Sequence, residues 1–366
     1  MLRVAAITWI LLWFPAAVTA ENLEFCRRAN EVQNAEDYKT AILHYTQCVE
    51  RGDLSTKNLF LALYNRGNAY LAMGQFAEAI EDYTQATRLD PVHAYAFNNR
   101  GNALTRTGQL DRAIQDYDQA IQLAPKDDVP LFNRGNAYSL KKQYDQAIRD
   151  FSNAIRLNAD NVPAYNNRGN IYRQTGQYDK AILDFDEAIR LHSGNAPAYY
   201  NRGVAYAAKR QHDRADQDYS EAIRLDPNST GAYNGRGRTR FLSGRFDAAI
   251  NDFKTAIGRQ PNDPYAAIWL YLSQARSGRD GRNDLTKNAA PFAREPWPGP
   301  IIAMLLGQAT VQATIDRASD PDPVRQREKR TEALFYAGQY ELLRGSRTDA
   351  IGYFHDAVEA GIVHFV

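Results

Sequence analysis

One spacing of apolar and small side chains recurs along most of the chain. An alanine (Ala79, Ala113, Ala147, Ala181, Ala215, Ala249) is followed four residues on by an aromatic (Tyr83, Tyr117, Phe151, Phe185, Tyr219, Phe253) and three further on by a second alanine (Ala86, Ala120, Ala154, Ala188, Ala222, Ala256). Upstream of each set, a leucine or aromatic stands four residues before a glycine, and in most copies a tyrosine stands three after it. Spacings of three and four place each set on one helix face, while the intervening glycines and Pro91, Pro125, Pro227 and Pro261 punctuate two helices per unit. Corresponding residues are always 34 apart, as from Arg66 to Arg100 to Arg134. A strict period of that length predicts stacked units, none able to bury its own apolar face alone.

The polar positions recur as regularly. With Phe60 counted as place 1 of a unit, place 7 is Arg66, Arg100, Arg134, Arg168, Arg202 and Arg236. At 100° per residue this place falls in the middle of the face that the apolar places bury. A buried guanidinium needs a partner, and place 23, on the second helix, is Asp82, Asp116, Asp150, Asp184, Asp218 and Asp252. Where the later chain puts Leu270 and Ala337 at place 7, place 23 is Thr286 and Tyr353, so arginine and aspartate are gained and lost together. This predicts structural ion pairs between the two helices of each unit; the competing reading gives the arginines to an anionic ligand.

Place 6 (Asn65, Asn99, Asn133, Asn167, Asn201) and place 9 (Asn68, Asn102, Asn136, Asn170) share the opposite face. Stacking would line them up as two amide columns, flanked at place 5 by Tyr64, Phe132 and Tyr200. Amides offer both donor and acceptor, so these residues form a candidate groove for an extended peptide. The competing reading has the asparagines cap helices or bond to neighbouring loops.

The six full-length copies, about residues 60–263, resemble the tetratricopeptide repeat (TPR). The resemblance implies an all-α TPR solenoid: an antiparallel helix pair per repeat, stacked into a right-handed superhelix whose concave wall is built by the first helices. Repeats of this type resemble one another in carrying leucine at place 7, so the arginines are a departure. The place 6 column is similar to the asparagine ladder by which the O-GlcNAc transferase family holds peptide backbone. Before the copies, "YKTAILHYTQC" from Tyr38 repeats the pattern of a second helix, which predicts a degenerate capping repeat over 21–59. After Pro261 we expect an irregular helical segment over 264–330: one more first helix from Tyr265, two short helices from Ile301 and Gln308, and a polar connection at "SDPDPVRQREKR". A final TPR-like pair then occupies 331–366.

The stretches "WLYL", "WPGPII", "LLG", "EALFYAGQYELLRG" and "AVEAGIVHFV" resemble the C-terminal part of NlpI-type periplasmic TPR adaptors. That resemblance implies a non-enzymatic scaffold bringing cell-wall hydrolases and a processing protease together. The chain departs from those lipid-anchored proteins in having more full repeats and no cysteine at a cleavage site.

Composition adds a compartment and removes several partners. With 366 residues, 44% hydrophobic and 24% charged, the chain can bury a core. A net charge of +1 with interspersed signs predicts neither a nucleic acid nor an anionic membrane as partner. Arg3, the apolar run "VAAITWILLWF" and the small residues Val18, Thr19 and Ala20 read as a signal peptide over 1–20. A membrane anchor is the alternative, but Pro15 interrupts a run already short of the ~20 residues a spanning helix needs. The expectation is a periplasmic or secreted protein with no integral membrane segment after cleavage. That setting favours a disulfide between Cys26 and Cys48, the only cysteines.

No metal site and no cofactor is expected, because the histidines form no close pair on a helix face. With no nucleophile elbow, zinc motif or phosphate-binding glycine loop, an enzyme is the least favoured function. The favoured one is an extracytoplasmic scaffold for a protein or extended peptide; a secretion or outer-membrane assembly chaperone is the alternative. An uncapped last repeat would invite homodimerisation.

Overall fold

The computed structural model describes residues 22–34, 36–50, 54–292 and 297–360, so the expected signal peptide lies outside the described residues. These fold into twenty α-helices and one 3-10 turn, Ala290–Phe292. Before the regular repeats come α1 (Asn22–Asn34) and α2 (Tyr38–Glu50). The regular pairs are α3 (Thr56–Ala72) with α4 (Phe76–Leu89), α5 (Ala94–Arg106) with α6 (Leu110–Leu123), and α7 (Asp128–Leu140) with α8 (Tyr144–Leu157); α9 (Val162–Gln174) and α10 (Tyr178–Leu191) come next along the chain. Two more pairs follow, α11 (Ala196–Ala208) with α12 (His212–Leu225) and α13 (Thr230–Leu242) with α14 (Phe246–Arg259). Then come α15 (Pro264–Arg276), α16 (Arg282–Ala289), α17 (Gly299–Leu305), α18 (Val311–Asp316), α19 (Pro323–Leu343) and α20 (Arg347–Glu359). The architecture is an all-α TPR solenoid. It divides into two compact units, residues 1–171 and 172–366.

Local chemistry sets the helix ends. First helices start at side-chain caps: Ser55, His93, Asp127, Asn195 and Asp263 each accept a first-turn backbone N–H. Between the two helices of a pair the chain passes through a left-handed residue, which Gly74, Gly108, Gly176 and Gly244 supply freely. In two repeats that place holds Lys142 (φ 58°) and Arg210 (φ 57°) instead.

The glycine of each first helix has another reason. A Cβ on Gly67, Gly101 or Gly135 would stand 2.7–2.8 Å from the ring of Tyr83, Tyr117 or Phe151. The paired helices therefore approach closely enough for a second-helix ring to lie on first-helix backbone. These rings are buried, as are the alanines that flank them along α4, α6 and α8. In the second unit the largest cluster gathers Phe241, Phe253, Trp269, Leu272, Ile301, Met304, Phe335 and Tyr336, with Trp269 in ring contact with Phe241, Phe335 and Tyr336.

One expectation is corrected. "SDPDPVRQREKR" is not a polar connection throughout: α19 already begins at Pro323, because Asp322 accepts from Val324 and Arg325 N–H and Pro323 fits the first helical turn. Among the described residues no helix is long and apolar enough to cross a membrane.

Candidate functional site

Five of the place 7 arginines, Arg66, Arg100, Arg134, Arg202 and Arg236, turn toward the second helix of their own pair. Arg66 donates to Asp82 at 2.8 and 2.7 Å, Arg100 to Asp116 at 2.7 and 2.7 Å, and Arg134 to Asp150 at 2.7 and 2.6 Å. In the second unit Arg202 donates to Asp218 at 2.8 and 2.6 Å and Arg236 to Asp252 at 2.7 Å. Both prongs of the guanidinium are used, a geometry lysine cannot reproduce. The arginine side chains are 14–21% exposed, and all six aspartates, Asp184 included, are buried. Burial pushes the Asp82 and Asp218 carboxyls above their usual range even against the lowering by Arg66 and Arg202. Desolvation is thus a large part of each pair's energy.

A further bond, not foreseen from the sequence, ties each arginine to the preceding pair. Nη1 of Arg66 reaches Thr46 at 3.1 Å, that of Arg100 reaches Thr87 and Thr84 at 3.0 and 3.3 Å, and that of Arg134 reaches Asp118 at 2.5 Å. Arg168 donates to Ser152 at 2.8 Å, Arg202 to Asp186 at 2.7 Å, and Arg236 to Ser220 at 3.0 Å. One guanidinium therefore joins its own helix, the second helix of its repeat and the second helix of the repeat before. Little of the fork is left for an anionic ligand.

The asparagines are not two independent open columns. Within the first unit each place 6 amide donates back to the preceding repeat: Asn65 to Asn30 at 3.2 Å, Asn99 to Asn68 at 2.9 Å, Asn133 to Asn98 at 2.9 Å, and Asn167 to Asn136 at 2.7 Å. Place 9 oxygens also accept from second-helix phenols, Tyr83 on Asn68 at 2.7 Å and Tyr117 on Asn102 at 2.8 Å. Asn68 is buried, against the expectation of an open position, because these two bonds draw its side chain between the helices. The Asn170 oxygen is buried without a partner among the described residues, and Asn201, in the second unit, is half-buried.

The pairing uses place 6 donors throughout, while the acceptors are place 9 at Asn68 and Asn136, place 5 at Asn98, and Asn30 of α1. It leaves the Asn133 and Asn167 oxygens, and the Asn102 and Asn136 N–H groups, without a further partner among the described residues. The place 5 aromatics are half-buried: Phe132 packs on Phe151 with ring centres 5.8 Å apart, and Tyr200 on Tyr219 at 5.9 Å. Tyr64 receives a bond from Asn99 at 3.3 Å. At the start of the described chain Cys26 and Cys48 form a disulfide that links α1 to α2.

Sequence profiles described as tetratricopeptide repeat, or TPR repeat, match residues 64–128, 116–149, 135–172, 169–210, 196–229 and 230–263. No curated protein matches the chain in sequence. Solved structures of similar fold include a tetratricopeptide repeat protein from Parabacteroides merdae, 21% identical, with TM-score 0.52 over 69% of this chain and 98% of that one. Pseudomonas aeruginosa pilF is 18% identical, with TM-score 0.52 over 60% and 98%. YrrB, described as a TPR protein with an unusual peptide-binding site, is 24% identical, with TM-score 0.46 over 51% and 96%.

Proposed function

Because the chain belongs to the tetratricopeptide-repeat family, we propose that it is a non-enzymatic interaction scaffold holding an extended peptide, or an extended segment of a partner protein, against its first helices. The observation that carries this reading is the polarity of the amide ladder. Internal bonding takes one half of Asn102, Asn133, Asn136 and Asn167 and, among the described residues, leaves oxygens at Asn133 and Asn167 and N–H groups at Asn102 and Asn136. An extended main chain presents carbonyls and amides that meet such a surface in alternation, whatever its side chains. In the first unit the half-buried rings of Tyr64 and Phe132 add apolar contact beside the amides.

On this reading residues 1–20 are a secretory leader and the scaffold works in an extracytoplasmic compartment, a setting that favours the Cys26–Cys48 bond. The motifs of the last hundred or so residues favour an envelope adaptor that gathers cell-wall hydrolases or a protease, as in the NlpI-type proteins they resemble. The test is capture of partners from the extracytoplasmic fraction by the wild-type chain and by an Asn102→Ala/Asn136→Ala variant. Loss of about 1 kcal/mol per hydrogen bond, roughly tenfold in affinity for two, is expected for the variant with no change in its melting profile. Undiminished capture would remove the ladder from the binding surface.

A further inference from the structure

The second unit ends its row of first helices in a buried carboxyl that no basic side chain among the described residues pairs with. Glu332 of α19 occupies place 2 of the last repeat and is 5% exposed. Its Oε2 accepts from the Trp297 indole at 2.7 Å and from the Tyr265 hydroxyl at 3.2 Å. Among the described residues its buried Oε1 has no partner, and neither has the buried hydroxyl of Tyr336, one turn along the same helix face. Trp297 and Tyr265 are only half-buried, so the carboxylate lies one side chain below the surface.

More negative charge acts on its two tyrosine neighbours. Asp263 caps α15 and accepts from Asn234 at 2.9 Å. Burial raises the Tyr265 and Tyr336 phenols, and both Glu332 and Asp263 add to the rise. Burial likewise raises the Glu332 carboxyl; the Trp297 and Tyr265 donors oppose this and Glu328 reinforces it. Among the described residues no ion pair reaches Glu332, Glu328 or Asp263; Arg238, exposed on α13, is the basic group acting on Tyr336. A buried carboxylate held by two neutral donors and facing further acids is costly to fold. Such groups gather where a ligand supplies the missing charge.

We propose that Glu332, with Tyr265, Trp297 and Tyr336, forms a subsite for one basic side chain, lysine or arginine, of the bound partner segment. The proposal rests on the scaffold reading above. An ammonium or guanidinium there gives donors to Oε1 and to the Tyr336 oxygen, lies beside two aromatic rings, and answers the charge of Asp263 and Glu328.

The test uses the full chain and an array of immobilised, N-acetylated peptides of mixed sequence, from which the best binder is resynthesised with and without norleucine at its basic position. The wild type should select peptides containing lysine or arginine. Glu332→Gln should bind the basic peptide about tenfold more weakly and the norleucine peptide unchanged. Arg238→Gln alters an exposed side chain and so spares the fold; it should bind the basic peptide several-fold more tightly, because a competing positive charge is removed. Selection of peptides with no basic preference, or a basic preference indifferent to both substitutions, overturns the subsite and leaves the scaffold standing. Failure to bind any peptide overturns both.

Discussion

Replacing Arg134 by alanine strips Asp150 of both its partner bonds, at 2.7 and 2.6 Å, inside a helix interface where Asp150 is 4% exposed. Removing one member of a buried pair costs about 3–5 kcal/mol, because the other charge stays behind without its counter-ion. The Asp118 bond contributes little to that figure: its side chain is 48% exposed, and such contacts are worth about 0.2–1 kcal/mol. Arg134→Leu combined with Asp150→Leu removes both charges and leaves apolar bulk, a change that is about neutral or even stabilising by 1–4 kcal/mol in comparable buried pairs. Urea unfolding followed by circular dichroism measures the ladder: the single mutant should lose midpoint stability heavily and the double mutant should regain most of it. Asp118→Ala should cost under about 1 kcal/mol. A double mutant no more stable than the single one would refute the account of the arginines as charge-neutralising staples.

Four further outcomes follow from the geometry. Gly135→Ala places a Cβ 2.8 Å from the Phe151 ring and should destabilise by about 1–3 kcal/mol through overpacking, read by the same unfolding assay. Lys142→Gly relieves a left-handed backbone (φ 58°) and should stabilise by about 1 kcal/mol, visible as a raised melting temperature. The His93 ring accepts from Ala96 N–H at 3.2 Å, which only the neutral imidazole can do, and burial holds its pKa below the usual value. The unfolded chain then binds the extra proton first, so this contribution to stability is present above about pH 6.5 and lost as pH falls below it through the lower folded-state value; His93→Asn, still a good cap, should flatten that part of the pH profile. Breaking the Cys26–Cys48 bond, which closes a separation of 22 residues, should cost about 3 kcal/mol in the chain-entropy picture, read as thermal shift with and without reductant.

The helix pairs were legible because their cause is local: three- and four-residue spacings, glycine at the left-handed turn and proline after the second helix. Arg–Asp pairing was legible because both residues vary together within one repeat. The second arm of each arginine was missed, although its signal exists one repeat earlier. Thr84, Asp118, Ser152, Asp186 and Ser220 all precede an arginine-bearing repeat, whereas Lys254 precedes the repeat with Leu270. The amide pairing could not be read in advance, since whether Asn133 meets Asn98 or Asn102 depends on the axial offset between α5 and α7. Nor could the buried acid at Glu332, whose donors Trp297 and Tyr265 are 35 and 67 residues away and are brought together by the irregular connection from α15 to α19.

The central claim, that the first helices form the binding wall of an extracytoplasmic scaffold, is most directly tested by photocrosslinking in living cells. A photoreactive residue is placed singly at Tyr64, Phe132 or Tyr200 on first helices, and at Leu183 or Ile351, which are 67% and 61% exposed on second helices. The account predicts protein adducts in the extracytoplasmic fraction from the first three positions and none from the last two. Adducts formed equally from both sets, or only with cytoplasmic proteins, would contradict it.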